Sequence, residues 1–264
     1  MKAGEILDRI KQHLGVPWRE ATYRDTYKWG NADTEVTGIA TTAFVTIDVI
    51  KRAAAAGLNM IIPHEVTFWN DRDDTAPVSA DPLYRTKTDL MTAHKIVVFR
   101  MHDHMHAMRP DFTYVGSMRV LGLEASQETA PNSHRFVVPE TTLGALATEV
   151  KRRTGSRAFR VVGDPSAKIH RIQLGVGYAT PPIGDREVDV VISGEQQEAD
   201  GGFDGPSYVL DAVTAGVAKG WIMLGHTISE EAGMLEMAAW LKGVVPELPV
   251  QLIPAGEPFS SPPA

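Results

Sequence analysis

Three of the nine histidines of this 264-residue chain lie within five residues, in the segment His102-Asp103-His104-Met105-His106. The segment directly follows the apolar run KIVVFRM, which has the composition of a buried strand. In open α/β sheets, ligands bind at the carboxyl ends of the strands. Because neutral imidazole is the commonest metal ligand among side chains, the segment is a candidate metal site.

Two other predicted strands end in residues of the same kind. The run LNMIIP leads into His64-Glu65, and the run WIMLG leads into His226, with Glu230 four residues later. We expect His226 to end its strand and Glu230 to lie in the first turn of the next helix, so that both face one point. Taken alone, this pair also fits an ordinary helix N-terminus, where acidic residues are favoured, and the histidine-rich segment also fits a polar loop. The convergence of three strand ends is what predicts a site.

The chain has no cysteine, which excludes disulfides, zinc-thiolate sites, iron–sulfur clusters and thiol nucleophiles. Any metal must therefore be held by histidine, aspartate and glutamate. Imidazole and carboxylate together suit zinc, manganese, iron or cobalt, and two carboxylates among several imidazoles carry enough charge for a pair of divalent ions. We expect two divalent metal ions per chain.

A further polar motif, Ser193-Gly194-Glu195, follows the predicted strand VDVVI. Glycine allows the backbone to approach a ligand, so Glu195 is a candidate general base or support for a metal ligand, although a plain turn explains the motif equally well. The sequence lacks the glycine-rich motifs of Rossmann and P-loop nucleotide binding and the Gly-x-Ser-x-Gly motif of serine hydrolases. Four isolated histidines are expected at the surface or in ordinary hydrogen bonds: His13, His94, His134 and His170.

Alternating apolar runs and helical periods predict an α/β fold. The segment 36–63 has the pattern of a strand, a helix and a second strand, which is a βαβ unit with a right-handed crossover. A helix with Asp81 as N-cap and Pro82 as its first residue, followed by the strand KIVVFRM, extends the pattern. Before these elements we expect an amphipathic helix over residues 4–14 and a loop over residues 16–34.

The middle of the chain, residues 125–185, predicts the order β-α-β-β, which suggests a small α+β lobe. Strict α/β alternation returns after it, up to the run VQLIP. We therefore expect a discontinuous metal-binding α/β lobe of residues 1–124 and 186–264, and a middle α+β lobe of residues 125–185.

Charge and hydropathy exclude several partners. The formal net charge is −7 and no long segment rich in lysine and arginine is present, so we expect no nucleic-acid binding. No apolar run approaches 18 residues, and the amino terminus contains acidic residues without the apolar segment of a signal peptide. We therefore expect no membrane partner and a cytoplasmic location.

These motifs together resemble those of the Nif-three-like family, dinuclear metal centre proteins described as GTP cyclohydrolase I type 2 homologues. VDVVISGE, a following helix and WIMLGHTISEEAG resemble the family's Ser/Thr-Gly-Glu/Asp and Gly-His-x-x-x-Glu signature. LNMIIPHEVTFW is similar to the strand that leads into the family's paired histidines, and FRVVGDPSAKIHRIQLGVG is similar to its middle lobe. The resemblance spans nearly the whole chain. It implies a two-lobed α/β fold with parallel or mixed sheets flanked by helices, a pair of metal ions between the lobes, and a ring-shaped homohexamer.

Two residues depart from the family pattern. The paired histidines are His64-Glu65 here, and the family's His-Thr-Asn-Leu-Asp is His102-Asp103-His104-Met105-His106, so that a carboxylate replaces a histidine and His106 replaces the metal-binding aspartate. If both act at one centre, the numbers of carboxylates and imidazoles are restored. Alternatively, Asp103 replaces the displaced aspartate after a local shift and His106 lies outside the site, and His104 is a further possible ligand. With both substitutions counted, the metal ligands are expected to be His64, Glu65, His102, His106, His226 and Glu230.

The function expected from this site is that of a metal-dependent hydrolase, in which two divalent ions activate water for attack on a small-molecule substrate. A cyclohydrolase acting on a purine-like ring is implied only by the family resemblance, and a phosphoesterase fits a two-metal site equally well. The alternative is a non-enzymatic metal-binding protein of regulatory or interaction function, whose hexamer is a platform for partners.

Overall fold

The structure is a computed structural model, and it describes residues 1–128, 133–179, 181–196 and 205–260. In these ranges the α-helices are α1 (Ala3–His13), α2 (Ile47–Ala55), α3 (Pro82–Ala93), α4 (Asp103–Ala107), α5 (Phe112–Leu121), α6 (Leu143–Thr154), α7 (Gly205–Thr214) and α8 (His226–Val244). The strands are β1 (Tyr27–Trp29), β2 (Ile39–Thr42), β3 (Met60–Pro63), β4 (Val97–Phe99), β5 (Arg135–Thr142), β6 (Arg160–Gly163), β7 (Lys168–Leu174), β8 (Val190–Ser193), β9 (Gly220–Met223) and β10 (Val250–Leu252).

The chain forms two compact units. Unit 1 comprises Met1–Phe112 and Gly233–Ala255, and unit 2 comprises Thr113–Ala232 and Gly256–Ala264. This division differs from the expected lobes because of strand pairing: β8 and β9, which were expected in the first lobe, pair with β7 and β6 in the second sheet. The periodicity of a strand shows which of its faces is buried, and it does not show which sheet the strand joins.

The sheet of unit 1 has the strand order β1-β4-β3-β2-β10. β4, β3, β2 and β10 are parallel, which confirms the predicted βαβ unit, and β1 is antiparallel to β4 at one edge. The expectation of a loop throughout residues 16–34 was wrong at β1, because Tyr27 and Trp29 of this segment pair with Phe99 and Val98 of β4. Helix α3 begins as predicted: Pro82 is its first residue and the Asp81 side chain accepts a hydrogen bond from Leu83 N at 2.7 Å.

Strands β2, β3 and β4 of unit 1 are buried on both faces, as parallel strands usually are. Ile39, Met60 and Val97 lie side by side in the sheet and pack in one core with α1 and the second half of α8. The next residue of each strand belongs to a second core, with α2 and α3. This pleat alternation places helices on both faces and leaves the carboxyl ends of β3 and β4 next to each other.

The sheet of unit 2 has the strand order β5-β7-β8-β9-β6. Its central strands β7, β8 and β9 are parallel, and the edge strands β5 and β6 are antiparallel to their neighbours. Val190 and Ile192 pack in a core with α6, whereas Val191 and the fully buried Trp221 pack in a core with α7. The predicted class, an α/β protein with mixed sheets flanked by helices, is therefore confirmed for both units.

Helix α5 was not predicted, because its apolar residues are spread around the helix and show no single apolar face. Within the described residues, no helix combines the length and the apolar character that crossing a membrane requires.

Candidate metal centre

The carboxyl ends of β3 and β4 bring three imidazoles together in unit 1. His64 follows β3, His102 follows β4, and His106 lies on α4. The ring centroid of His64 is 4.5 Å from that of His102 and 4.8 Å from that of His106, and the last two are 4.7 Å apart. One nitrogen of each ring lies within 4.8 Å of one nitrogen of the others, which is the spacing of ligands around a single ion.

The other nitrogen of each ring is held by an oxygen atom. Nδ1 of His64 lies 3.3 Å from the carbonyl oxygen of Met101, and Nδ1 of His102 lies 3.0 Å from the Asp103 carboxylate. Nδ1 of His106 lies 2.8 Å from Asp111 Oδ2. These oxygens are hydrogen-bond acceptors, so the contacts form with the tautomer that has its proton on Nδ1. In that tautomer Nε2 keeps the lone pair that a metal ion binds. The Nε2 atoms of His64 and His106 are 3.2 Å apart, so a metal ion between the rings fits this donor set.

Glu65 lies beside these imidazoles with its two oxygens in different environments. Oε1 is 3.4 Å from Nε2 of His102, and Oε2 is 2.7 Å from Nη2 of Arg100. The side chain of Arg100 is fully buried, and its Nε also donates to the carbonyl oxygen of His64 at 3.0 Å. We refer to His64, Glu65, His102 and His106 as the unit 1 centre.

The surroundings of the unit 1 centre favour a neutral imidazole and an ionised carboxylate, which are the protonation states found at metal sites. Burial lowers the pKa of His64 well below its ordinary value, and the neighbouring His102 and His106 lower it further. His64 is therefore neutral at neutral pH, as a metal ligand must be. Burial raises the pKa of Asp103, but hydrogen bonds from Thr22 and His102 and the charge of Arg24 outweigh it and hold that pKa below its usual value.

Helix α4, which carries His106, has only five residues and is capped by a distant carboxylate. Asp25 Oδ1 accepts hydrogen bonds from the backbone N–H groups of His102 and Asp103, at 2.7 and 3.0 Å. Asp25 Oδ2 accepts from the N–H of His104 at 2.8 Å. Three of the N–H groups that a helix start leaves without partners are thereby satisfied, so Asp25 fixes the position of α4.

The two residues considered as further ligands of this segment have other partners. His104 is fully buried, its Nδ1 pairs with Asp25, and its Nε2 accepts a hydrogen bond from Arg19 N at 2.9 Å. Its ring stacks on Trp18 with 3.8 Å between centroids. The Asp103 carboxylate contacts His102, Thr22 and Arg24. The structure therefore places His106, and not Asp103 or His104, beside His64.

In unit 2, His226 and Glu230 lie one helical turn apart on α8. His226 Nε2 is 3.0 Å from Glu230 Oε2, and His226 Nδ1 is 3.3 Å from Glu195 Oε2. His226 is the first residue of α8 and does not end β9, because Gly225, with a φ of +89°, turns the chain between them. Glu195 thus contacts Nδ1 of His226 as Asp111 contacts Nδ1 of His106. We refer to His226 and Glu230 as the unit 2 pair.

Two glycines allow loops of unit 2 to approach this pair. Gly177 has a φ of +54°, and a Cβ there would overlap Glu230 Oε1. A Cβ at Gly194 would overlap Ser229 Oγ and the backbone of Gly177. Ser229 is fully buried, and its hydroxyl accepts a hydrogen bond from Gly177 N at 2.9 Å and donates to the carbonyl oxygen of His226 at 2.7 Å. The start of α8 is therefore tied to the glycine loop that lies against the Glu230 carboxylate.

Three residues that contact the candidate site were not predicted from the sequence: Asp25, Arg100 and Asp111. A signal for Arg100 was present, because a charged residue inside the apolar run KIVVFRM must be paired if the strand is buried. No comparable signal marks Asp25, which lies 77 residues before His102.

The fold occurs in several solved structures, whose low identities to this chain make the likeness one of fold alone. The Staphylococcus aureus hypothetical protein SA1388 aligns with a TM-score of 0.72 and 18% identity over 99% of both chains. Protein ybgI, of unknown function, aligns with a TM-score of 0.72 and 20% identity over 98% of this chain and 100% of its own. The Bacillus cereus protein related to NIF3 aligns with a TM-score of 0.70 and 15% identity over 100% of this chain and 99% of its own.

No curated protein matches the chain. The sequence model of one family, described as Duf34/NIF3 (NGG1p interacting factor 3), matches residues 1–257. The match confirms the resemblance that the motifs indicated. The chain therefore belongs to the Duf34/NIF3 family.

Proposed function

We propose that this protein binds divalent metal ions through the unit 1 centre and the unit 2 pair and uses them to hydrolyse a small-molecule substrate. The observation that carries the proposal is the orientation of three imidazoles in unit 1. Each has its Nδ1 held by an oxygen. The Nε2 atoms of His64 and His106 lie 3.2 Å apart, and Nε2 of His102 lies 3.4 Å from Glu65 Oε1. Oriented imidazoles of this kind are typical of metal sites, where an outer carboxylate or carbonyl fixes the ring.

The donor set favours transition metals. Imidazole nitrogens and carboxylate oxygens suit zinc, manganese, iron or cobalt. We propose two ions per chain, because the unit 1 centre and the unit 2 pair each combine imidazole with carboxylate and because the family resemblance implies a pair. The chemistry that such ions supply when bound is Lewis acidity and the acidification of water.

Carboxylates of the protein would hold the imidazole rings of the metal ligands in position. Asp111, Asp103 and Glu195 keep the proton on Nδ1 of His106, His102 and His226, so that the ring nitrogens facing the ions stay unprotonated. We propose this supporting role for Glu195 in preference to that of a general base, since its carboxylate already contacts a ring nitrogen. Both a cyclohydrolase-like and a phosphoesterase-like reaction agree with such a site.

Elemental analysis tests the metal proposal. Gently purified protein, and protein reconstituted with zinc, manganese or iron, should carry up to two divalent ions per chain. His64→Ala should lower the metal content per chain. The control variant is His170→Ala, which changes an exposed histidine of unit 2 beside Asp189 and should leave the metal content unchanged. Absence of bound metal after reconstitution would contradict the proposal.

A second measurement tests the reaction. The metal-loaded protein should hydrolyse at least one member of a panel of nucleotides and phosphoesters, and the His64→Ala variant should not. Bound metal without hydrolysis across the panel would favour the non-enzymatic, interaction-platform alternative.

We also propose a homohexamer, on the family resemblance alone. Light scattering at micromolar concentration should give six times the mass of one chain, and a monomeric mass would contradict this assembly.

A further inference from the structure

We propose that Arg100 is a specificity-determining residue of the unit 1 centre. By holding one oxygen of Glu65, it leaves a single carboxylate oxygen for metal binding and makes the centre select ions that prefer imidazole over ions that require oxygen ligands. This inference deepens the proposed function and rests on the metal binding proposed there.

The geometry assigns the two oxygens of Glu65 separate tasks. Oε2 is 2.7 Å from Arg100 Nη2, which is the distance of a charge-assisted hydrogen bond. Oε1 faces Nε2 of His102 at 3.4 Å. A carboxylate that binds an ion with both oxygens, or that bridges two ions, needs both of them, and Oε2 is already engaged. Glu65 therefore offers Oε1 alone.

Arg100 is fixed more firmly than a surface arginine. Its Nε donates to the carbonyl oxygen of His64 at 3.0 Å, and its Nη1 donates to that of Asp71 at 2.6 Å. Nη2 also contacts the Asp71 carboxylate at 3.0 Å. Burial raises the pKa of Asp71, but Arg24, Tyr23 and Arg100 outweigh it and hold that pKa far below its usual value. The guanidinium is thus bound between two carboxylates and two backbone carbonyls, and a rotation away from Glu65 would break several hydrogen bonds.

The charges of Glu65 and Arg100 also favour binding of zinc over binding of manganese. Glu65 is 8% exposed and has the fully buried Arg100 as its counter-ion. Arg100 also contacts Asp71, and the charge of Asp71 is paired with Arg24 as well. The negative charge that Glu65 contributes is balanced by Arg100, and the three imidazoles are neutral ligands. Hard ions such as manganese and magnesium gain most of their affinity from anionic oxygen ligands, whereas zinc and cobalt bind neutral imidazole well. The Arg100 contact therefore disfavours the hard ions more than it disfavours zinc.

The test measures Zn²⁺ and Mn²⁺ affinities of the full chain after chelator treatment, by competition with a chromophoric chelator and by calorimetry. In Arg100→Met, Glu65 can use both oxygens, and we expect the ratio of zinc to manganese affinity to fall about tenfold, within the range that changes around metal ligands produce. Because the unpaired Glu65 can impair folding of that variant, Arg100→Lys is measured beside it. Lysine keeps the charge without the planar fork of donors, and a smaller fall in the same direction is expected.

A double-mutant cycle separates this role from a merely structural one. Glu65→Gln removes the carboxylate. The double variant Glu65→Gln/Arg100→Met should then have the same ratio of zinc to manganese affinity as Glu65→Gln alone, because Arg100 is inferred to act only through that carboxylate. The double variant also contains no unpaired buried charge at these positions.

The outcomes distinguish the inference from the proposed function. If the wild type binds zinc, His64→Ala lowers that binding, and folded Arg100→Lys and Arg100→Met keep the wild-type ratio within twofold, the selectivity role is wrong and the metal site stands. An equal change of ratio in the presence and absence of the Glu65 carboxylate would also overturn it. If the wild type and His64→Ala bind both ions equally weakly, the metal site itself fails.

Discussion

The carboxylate of Asp111 lies 2.8 Å from Nδ1 of His106, while Nε2 of the same ring lies 3.2 Å from Nε2 of His64. One ring nitrogen is thus fixed by an acceptor and the other is directed at a neighbouring imidazole. The relationship sets both the tautomer and the orientation of His106, which are the two properties that a metal ligand requires.

Asp111→Ala should lower zinc affinity by about 10–100-fold, because the His106 ring loses the acceptor that fixes its tautomer. Titration against a competing chelator measures the effect. Asp33→Ala is the matched control, because Asp33 is an exposed aspartate of the same unit that pairs with Lys2. Equal affinities of Asp111→Ala and the control would contradict the supporting role.

His106→Ala should weaken zinc binding more than Asp103→Ala does. The first variant loses a proposed ligand. The second keeps all proposed ligands and loses the acceptor of His102 Nδ1, which is expected to cost about 10–100-fold, together with contacts to Thr22 and Arg24. Glu65→Ala should also lower metal occupancy. A larger effect of Asp103→Ala than of His106→Ala would show that Asp103 is the ligand and that the aspartate of the family pattern has shifted by one turn.

Asp25→Ala should lower the free energy of unfolding of the metal-free protein by about 3 kcal/mol, since three backbone N–H groups and the His104 ring lose their acceptor. Urea denaturation followed by circular dichroism measures the change. The exposed Asp33→Ala variant should change it by about 0.5 kcal/mol or less. If Asp25→Ala lowers the free energy of unfolding by no more than the control does, Asp25 does not anchor α4.

Gly177→Ala should destabilise unit 2 more than Gly216→Ala. Both glycines have positive φ, +54° and +74°, so an alanine costs backbone strain of about 1–2 kcal/mol at either position. Only at Gly177 does the added Cβ also overlap the Glu230 carboxylate. At Gly216, apart from the glycine and its two chain neighbours, no described residue has an atom within 4 Å of the added Cβ. The difference between the two thermal midpoints therefore reports the approach of the glycine loop to Glu230, and equal midpoints would mean that the loop has room to move.

Helices and strands whose limits depend on neighbouring residues could be predicted from the sequence. Asp81 and Pro82 define the start of α3, and the apolar runs that end at His64 and His102 identify β3 and β4. The assignment of β8 and β9 to a sheet depends on contacts with distant strands, and no sequence period encodes those contacts. For the same reason the expected lobe boundaries differ from those of the two units.

The candidate site shows a similar division. Its imidazoles could be predicted, because histidines at adjacent strand ends are conspicuous in the sequence. The oxygens that orient these rings could not, because any aspartate near a histidine is equally eligible before the chain folds. His106 is oriented by Asp111, five residues later, whereas His102 is oriented by its neighbour Asp103. Asp103, considered as a ligand, has this supporting position instead.

The shortness of α4 has a consequence for kinetics. A helix of five residues does not persist by itself in water, so this turn exists only while Asp25 and the rest of unit 1 hold it. Ion escape and fraying of α4 should then be one event, because His106 leaves the cluster when its turn opens. We expect the dissociation rate of a bound ion to follow the hydrogen-exchange rate of the α4 amides. The rate at which metal is transferred to a chelator would then report the rate of this local opening.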